Sequence, residues 1–150
     1  PPVLYEVGLL AALQWLAEDM EGRYGLRVTL EEEGERIQLD EETRISLFRS
    51  VSELLLNVAK HANNDRAAVR VSTWVKDIMI IVEDQGIGFD ASSDASEYGL
   101  FSVRERMHHL GGILTIASKR GEGTKVTLVA PFRAAGSQTN SSSQTNSSAV

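Results

Sequence analysis

The chain has 150 residues, 42% of them hydrophobic and 24% charged, which suits one compact domain with a proper core rather than two. A formal net charge of −6 argues against nonspecific nucleic-acid binding, and any polyanionic ligand must be drawn in by local groups. Zero cysteines exclude disulfides, thiolate metal sites and cysteine nucleophiles, and no apolar run approaches the roughly eighteen residues of a membrane span.

The start at Pro1-Pro2, without a basic-then-apolar leader, suggests a fragment of a longer chain, any membrane anchor of the parent lying outside it. Leu4 to about Tyr24 is predicted helical, with Leu9, Leu13, Leu16 and Met20 on one apolar face and Gly22 and Gly25 punctuating its end. Leu26 to Leu30 alternates like a half-buried strand, Glu31 to Glu35 reads as an acidic solvated turn, and Arg36 to Leu39 could pair back as a second strand.

Asp40 is placed to cap the next helix, with Glu41 and Glu42 in its favourable first turn. Phe48, Val51, Leu55, Val58, Ala59 and Ala62 share a broad apolar side that Leu54 and Leu56 extend. Only Glu53, Asn57, Lys60 and His61 remain as a narrow polar seam, which fits either a ligand-facing side or a satisfied polar cluster. Asn57 offers a neutral oxygen suited to Mg²⁺, an ion that completes its shell with water and phosphate. Lys60 supplies positive charge for a phosphate, and His61 could donate to one. Glu53 could orient a metal-bound water or accept a proton from a nucleophile. No zinc site is suggested, since the other histidines, His108 and His109, are adjacent and far along the chain.

Ala68 to Val75 alternates as a strand, Lys76-Asp77 turns, and Ile78 to Glu83 returns antiparallel into Asp84-Gln85-Gly86-Ile87-Gly88-Phe89. Two glycines after a buried strand hold the Asp84 carboxylate at the lip of a tight loop, where it can accept a hydrogen bond from an amino group on a flat ligand. Gly86 to Ala91 also fits a dinucleotide fingerprint, but that motif needs a helix opening at the glycines, and here a small polar stretch follows to Glu97. Gly99-Leu100 then opens a helix whose buried stripe is Leu100, Val103, Met107 and Leu110, ended by Gly111-Gly112. Its N-terminus suits a phosphate, and Arg104 and Arg106 either add charge there or pair on the surface. Residues 113–118 and 124–129 form a hairpin around Gly121-Glu122-Gly123, and Pro131 closes the domain. Beyond Arg133 the segment from Ser137 to Ser142 repeats word for word, so residues 134–150 are expected to be a disordered tail after a domain spanning 1–133.

Four motifs stand in one order: Glu53-x-x-x-Asn57-x-x-Lys60-His61-Ala62, Asp84-x-Gly86-x-Gly88-Phe89, Gly99-Leu100 opening a helix that ends Leu110-Gly111-Gly112, and Gly121-x-Gly123-Thr124. This order resembles the N box, G1 box, lid end and final GT signature of the ATP-binding domain of sensor histidine kinases, in the gyrase, heat-shock chaperone, histidine kinase and MutL superfamily. The Asn57-x-x-Lys60-His61-Ala62 spelling with Gly99-Leu100-x-x-Val103-x-Glu105-Arg106 is most similar to the kinases paired with NarL-type response regulators. Pro1-Pro2 and Gly8-Leu9-x-x-Ala12-Leu13 resemble that subfamily's join to its dimerisation helices.

The resemblance implies a Bergerat-type two-layer α/β sandwich, a mixed and mostly antiparallel sheet with helices on one face. It implies a cytoplasmic domain that binds Mg-ATP and donates the γ-phosphate to a histidine on a dimerisation domain absent from this chain, for relay to a response regulator. The parent would be a homodimer, and this part would touch neither nucleic acid nor membrane. Asp84 would read the adenine amino group, Gly86 and Gly88 would shape its pocket, and Thr124 would lie near the adenine side. Asn57 would hold Mg²⁺ with Lys60 and His61 nearby, and Gly99 and Leu100 would end a mobile lid running from Asp90 to Tyr98. Gln85 departs from the usual Asn or Asp after the G1 aspartate. Three alternatives stand beside this: an anti-sigma factor of the same superfamily, an ATP-hydrolysing clamp with Glu53 activating water, and an interaction domain that binds no nucleotide.

Overall fold

A computed structural model describes residues 8–35, 37–90 and 100–132. In chain order these form α1 (Leu9–Tyr24), β1 (Arg27–Glu33), α2 (Glu41–His61), β2 (Arg66–Thr73), β3 (Asp77–Asp84), α3 (Leu100–His109), β4 (Ile113–Ser118) and β5 (Thr124–Pro131). The strands make one five-stranded sheet in the order β1-β2-β3-β5-β4. Only β1 and β2 pair parallel, the chain crossing between them through α2, and the other pairs are antiparallel. The expected mixed, mostly antiparallel α/β sandwich is therefore the observed fold.

Helix α1 buries Leu9, Ala12, Leu13, Leu16 and Met20, and it ends at Gly25, whose left-handed backbone lets its N–H reach back to Glu21. It begins at Leu9 rather than Leu4, because Gly8 holds φ +102°, outside helical space; residues 4–7 lie outside the described residues. Asp40 caps α2 as predicted, its Oδ2 accepting from the Thr43 N–H at 3.2 Å.

Two expectations for this edge of the sheet fail. Glu31, Glu32 and Glu33 are not a turn but the exposed end of β1, paired residue by residue with Arg70, Val71 and Ser72. An edge strand needs only backbone partners on one side, so its side chains can stay charged and discourage further strand addition. Residues 37–39 do not return as a strand and leave only an isolated bridge at Leu39, Arg36 lying outside the described residues. Strand β2 also stops at Thr73: Trp74 is 55% and Val75 92% exposed in the turn, where apolar character has nothing to pack on.

Alternate residues of the strands are buried on the face that meets the helices. Across that face Val71, Ile80, Leu128 and Leu114 lie in one register row, and Val69, Val82, Val126 and Ile116 in the next. The helices supply Leu13, Leu16, Leu47, Val51, Leu55, Val103 and Met107 to the same core. At 25 cal/mol per Å² this apolar burial is the main favourable term of folding.

Candidate functional site

One row further along the same face the residues change character: Ala67, Asp84, Thr124 and Ser118. Asp84 is only 6% exposed. Burial raises its pKa and the neighbouring Glu83 charge adds to this, while N–H groups of Gly86 and Thr124 pull the other way. The Gly86 N–H donates to Asp84 Oδ1 at 2.8 Å, so the carboxylate itself starts the turn into the glycine loop.

The glycines are required by what surrounds that loop. A Cβ on Gly86 would strike the Ala62 carbonyl at the end of α2. Gly88 has φ +61°, and a Cβ there would meet the Lys119 carbonyl. Between them Ile87 donates its N–H to Ala62 O at 2.8 Å and accepts from the Gly121 N–H at 2.6 Å. Helix end, loop and β4–β5 turn are thus joined backbone to backbone. Ser118 completes the frame, its Oγ accepting from the Phe89 N–H at 2.9 Å and lying 3.1 Å from Gly123 O and 2.8 Å from Thr124 Oγ1.

These elements line a cleft that opens to solvent and has a cavity volume of about 40 Å³. Its polar groups come from Asn57 and His61 on α2, Asp84 on β3 and Thr124 on β5; Leu54, Val58, Val82, Phe89, Leu100 and Val126 supply apolar walls. Four residues separate Asn57 from His61, which sets both on one side of the helix. The cleft thus sets apolar walls beside one buried carboxylate acceptor.

Of the predicted site residues, Asn57, His61, Asp84, Gly88, Leu100 and Thr124 line this one cleft. Gly86 lies in the loop against Ala62, and Lys60 is exposed on α2 outside the lining. Gly99, and the lid beyond Asp90, lie outside the described residues. Glu53 does not line the cleft; its Oε1 accepts from Arg106 Nη2 and its Oε2 from Ser102 Oγ, each at 2.8 Å. Sequence reasoning missed Ser118 and the lining role of Phe89. Ser118 was detectable only through its register opposite Thr124, which a single strand's alternation does not reveal.

Residues 42–134 match the family described as Histidine kinase-, DNA gyrase B-, and HSP90-like ATPase. The signal transduction histidine-protein kinase/phosphatase UhpB of Salmonella typhimurium is 35% identical over 85% of this chain, which spans 26% of that relative. The histidine-protein kinase/phosphatase DegS of Brevibacillus brevis is 30% identical over 86% of this chain and 34% of its own length. Among solved structures, the histidine kinase domain of the blue-light activated kinase of Erythrobacter litoralis EL346 superposes with a TM-score of 0.66 at 26% identity, covering 83% of this chain and 61% of that one. The chain belongs to this ATPase family, within which it is an ATP-binding catalytic domain of the histidine kinase type. It spans about a quarter to a third of the length of these two curated relatives. Among the described residues no helix is long and apolar enough to cross a membrane, and no group of three His, Cys, Asp or Glu residues could hold a metal ion.

Proposed function

We propose that the cleft binds Mg-ATP and presents its γ-phosphoryl group to a histidine on the parent protein's own dimerisation domain, for relay to a response regulator of the NarL type. The observation that carries this reading is the buried Asp84 carboxylate, placed at the end of otherwise apolar rows and opening into a cleft that Asn57 also lines. Burying a carboxylate is costly unless a partner offsets it. An adenine amino group is such a partner, and the apolar walls suit the ring.

In this reading Asp84 accepts from the amino group, Gly86 and Gly88 let the ring approach the backbone, and Thr124 lies beside it. Lys60 and His61 counter phosphate charge, and Gly99 and Leu100 end the lid. The residues present fit Mg²⁺: Asn57, which lines the cleft, carries a neutral amide oxygen, and among the described residues no group of three His, Cys, Asp or Glu competes with the water and phosphate oxygens the ion prefers. Bound there, Mg²⁺ would neutralise phosphate charge. This chain's own contribution is to orient the nucleotide and hold it out of water, the main tasks of a phosphoryl-transfer protein. The parent would be a cytoplasmic-facing homodimer. The histidine kinase relatives favour this reading over the anti-sigma factor.

Calorimetric titration of Mg-ATP into the chain and into Asp84→Asn tests it. The parent should bind and the folded variant should lose about tenfold or more, equivalent to 1.4 kcal/mol. A folded parent silent at millimolar nucleotide would overturn the reading. The chain alone should not accumulate acid-labile phosphate, since the acceptor histidine is placed on the dimerisation domain.

A further inference from the structure

Helices α2 and α3 run antiparallel along a polar seam. Glu42 meets His109 at 2.9 Å, Ser50 Oγ lies 3.4 Å from Arg106 Nη1, and Glu53 takes both Arg106 and Ser102. The outermost contact is exposed at both partners and contributes little. Glu53 differs, because each of its two oxygens accepts a bond at 2.8 Å, and both donors lie one turn apart on the same helix. One carboxylate from α2 therefore grips a whole turn of α3. Its position relative to the cleft gives that grip a use. Glu53 stands one turn before Asn57 on α2, and Ser102 stands two residues after Leu100, the first residue of α3; both Asn57 and Leu100 line the cleft.

We propose that Glu53, Ser102 and Arg106 form a staple that fixes α3 against α2 so that Leu100 walls the cleft, and that Glu53 and Arg106 position the nucleotide without touching it. This rests on the Mg-ATP reading above. It makes Glu53 a positioning residue rather than a proton acceptor: both oxygens already hold donors, and a carboxylate stabilised in its charged form is a weaker base. It also gives Arg106 a role apart from phosphate binding, since its guanidinium is spent on Glu53 and Ser50.

The test is a double-mutant cycle on the full chain, with Mg-ATP titrated calorimetrically into the parent, Glu53→Ala, Arg106→Ala and the double variant, and folding checked by circular dichroism. Each single variant should weaken binding about 3- to 10-fold, and the double variant should be no weaker than the worse single, as coupled partners require. Arg106→Lys, which keeps the charge, should recover part of the loss. If Arg106→Ala does not fold, Ser102→Ala carries the test, with a loss of about twofold expected for one bond of the staple. Singles that bind like the parent, or losses that add in the double variant, overturn the proposal. So does a Glu53→Ala protein that binds normally yet fails to transfer phosphate to an added dimerisation domain, the signature of a proton acceptor. If the parent itself binds no Mg-ATP, the nucleotide reading falls and takes this inference with it, an outcome distinct from all the others.

Discussion

Two rows of the same sheet face, contributed by the same four strands in the same register, do opposite things. Val71, Ile80, Leu128 and Leu114 are buried and apolar; two register steps away, beside Ala67, the equivalent positions carry the polar groups of Asp84, Thr124 and Ser118. The pairing pattern is identical, so backbone hydrogen bonding cannot distinguish them. What differs is whether burial of the side chain stabilises the domain or costs it stability, and the costly row is the one that opens into the cleft. The apolar row holds the strands together, and the polar row uses that rigidity to keep Asp84, Thr124 and Ser118 in fixed relation.

The largest effect should come from the apolar row. Ile80→Ala should lower the unfolding free energy by about 2–5 kcal/mol in denaturant titrations, because a fully buried side chain leaves a cavity. Asp84→Asn should do the reverse. Its raised pKa means that ionisation is easier in the unfolded chain, so the charge contributes a deficit that grows as pH rises above the ordinary aspartate value of about 3.9 and is complete above the folded pKa. The variant should melt at or above the parent's temperature at pH 7 while losing nucleotide about tenfold. A variant that binds normally and melts lower would erase the contrast between the rows. Ser118→Ala should fall between these, costing about 1 kcal/mol of stability because the Phe89 N–H loses its acceptor, and weakening binding through the loop.

Smaller effects lie outside both rows. Burial works to raise the Glu53 pKa, but bonds from Arg106 and Ser102 and the Arg106 charge outweigh it, so the net shift is downward. Its stabilisation is therefore present above about pH 4.3, the ordinary glutamate value, and lost as pH falls through the lower folded pKa. The stability gap between the parent and Glu53→Gln should shrink over that acidic window in pH-dependent melts. Val75→Ser, at a turn tip 92% exposed, should change stability by less than about 0.5 kcal/mol.

The elements whose side chains alternate between core and water were legible in the sequence: α2, α3, β3 and the β4–β5 hairpin follow their periodicities closely. The ordered motifs likewise single out Asn57, Asp84, Gly88, Leu100 and Thr124, which line one cleft. Features decided by partners distant in sequence were not legible. Glu31 to Glu33 carry no burial signal, and their strand exists only because β2 offers a backbone ladder some forty residues on. Trp74 and Val75 look like strand residues, yet the chain must turn where Asp77 answers the Trp74 N–H. Arg106 was open between phosphate and surface pairing because only the packing of α3 on α2 brings Glu53 within its reach.

Ile87 connects α2 to the β4–β5 turn through one amide and one carbonyl, two links in series, and the Phe89 N–H to Ser118 Oγ bond ties the same loop to β4. A series connection fails when either link opens. Fraying at the end of α2 and loosening of the hairpin turn should therefore both be felt at Ile87. Amide hydrogen exchange at Ile87 and Gly121 would then proceed at matched rates and slow together when the cleft fills, making this pair of protons a gauge of occupancy that needs no label on the ligand.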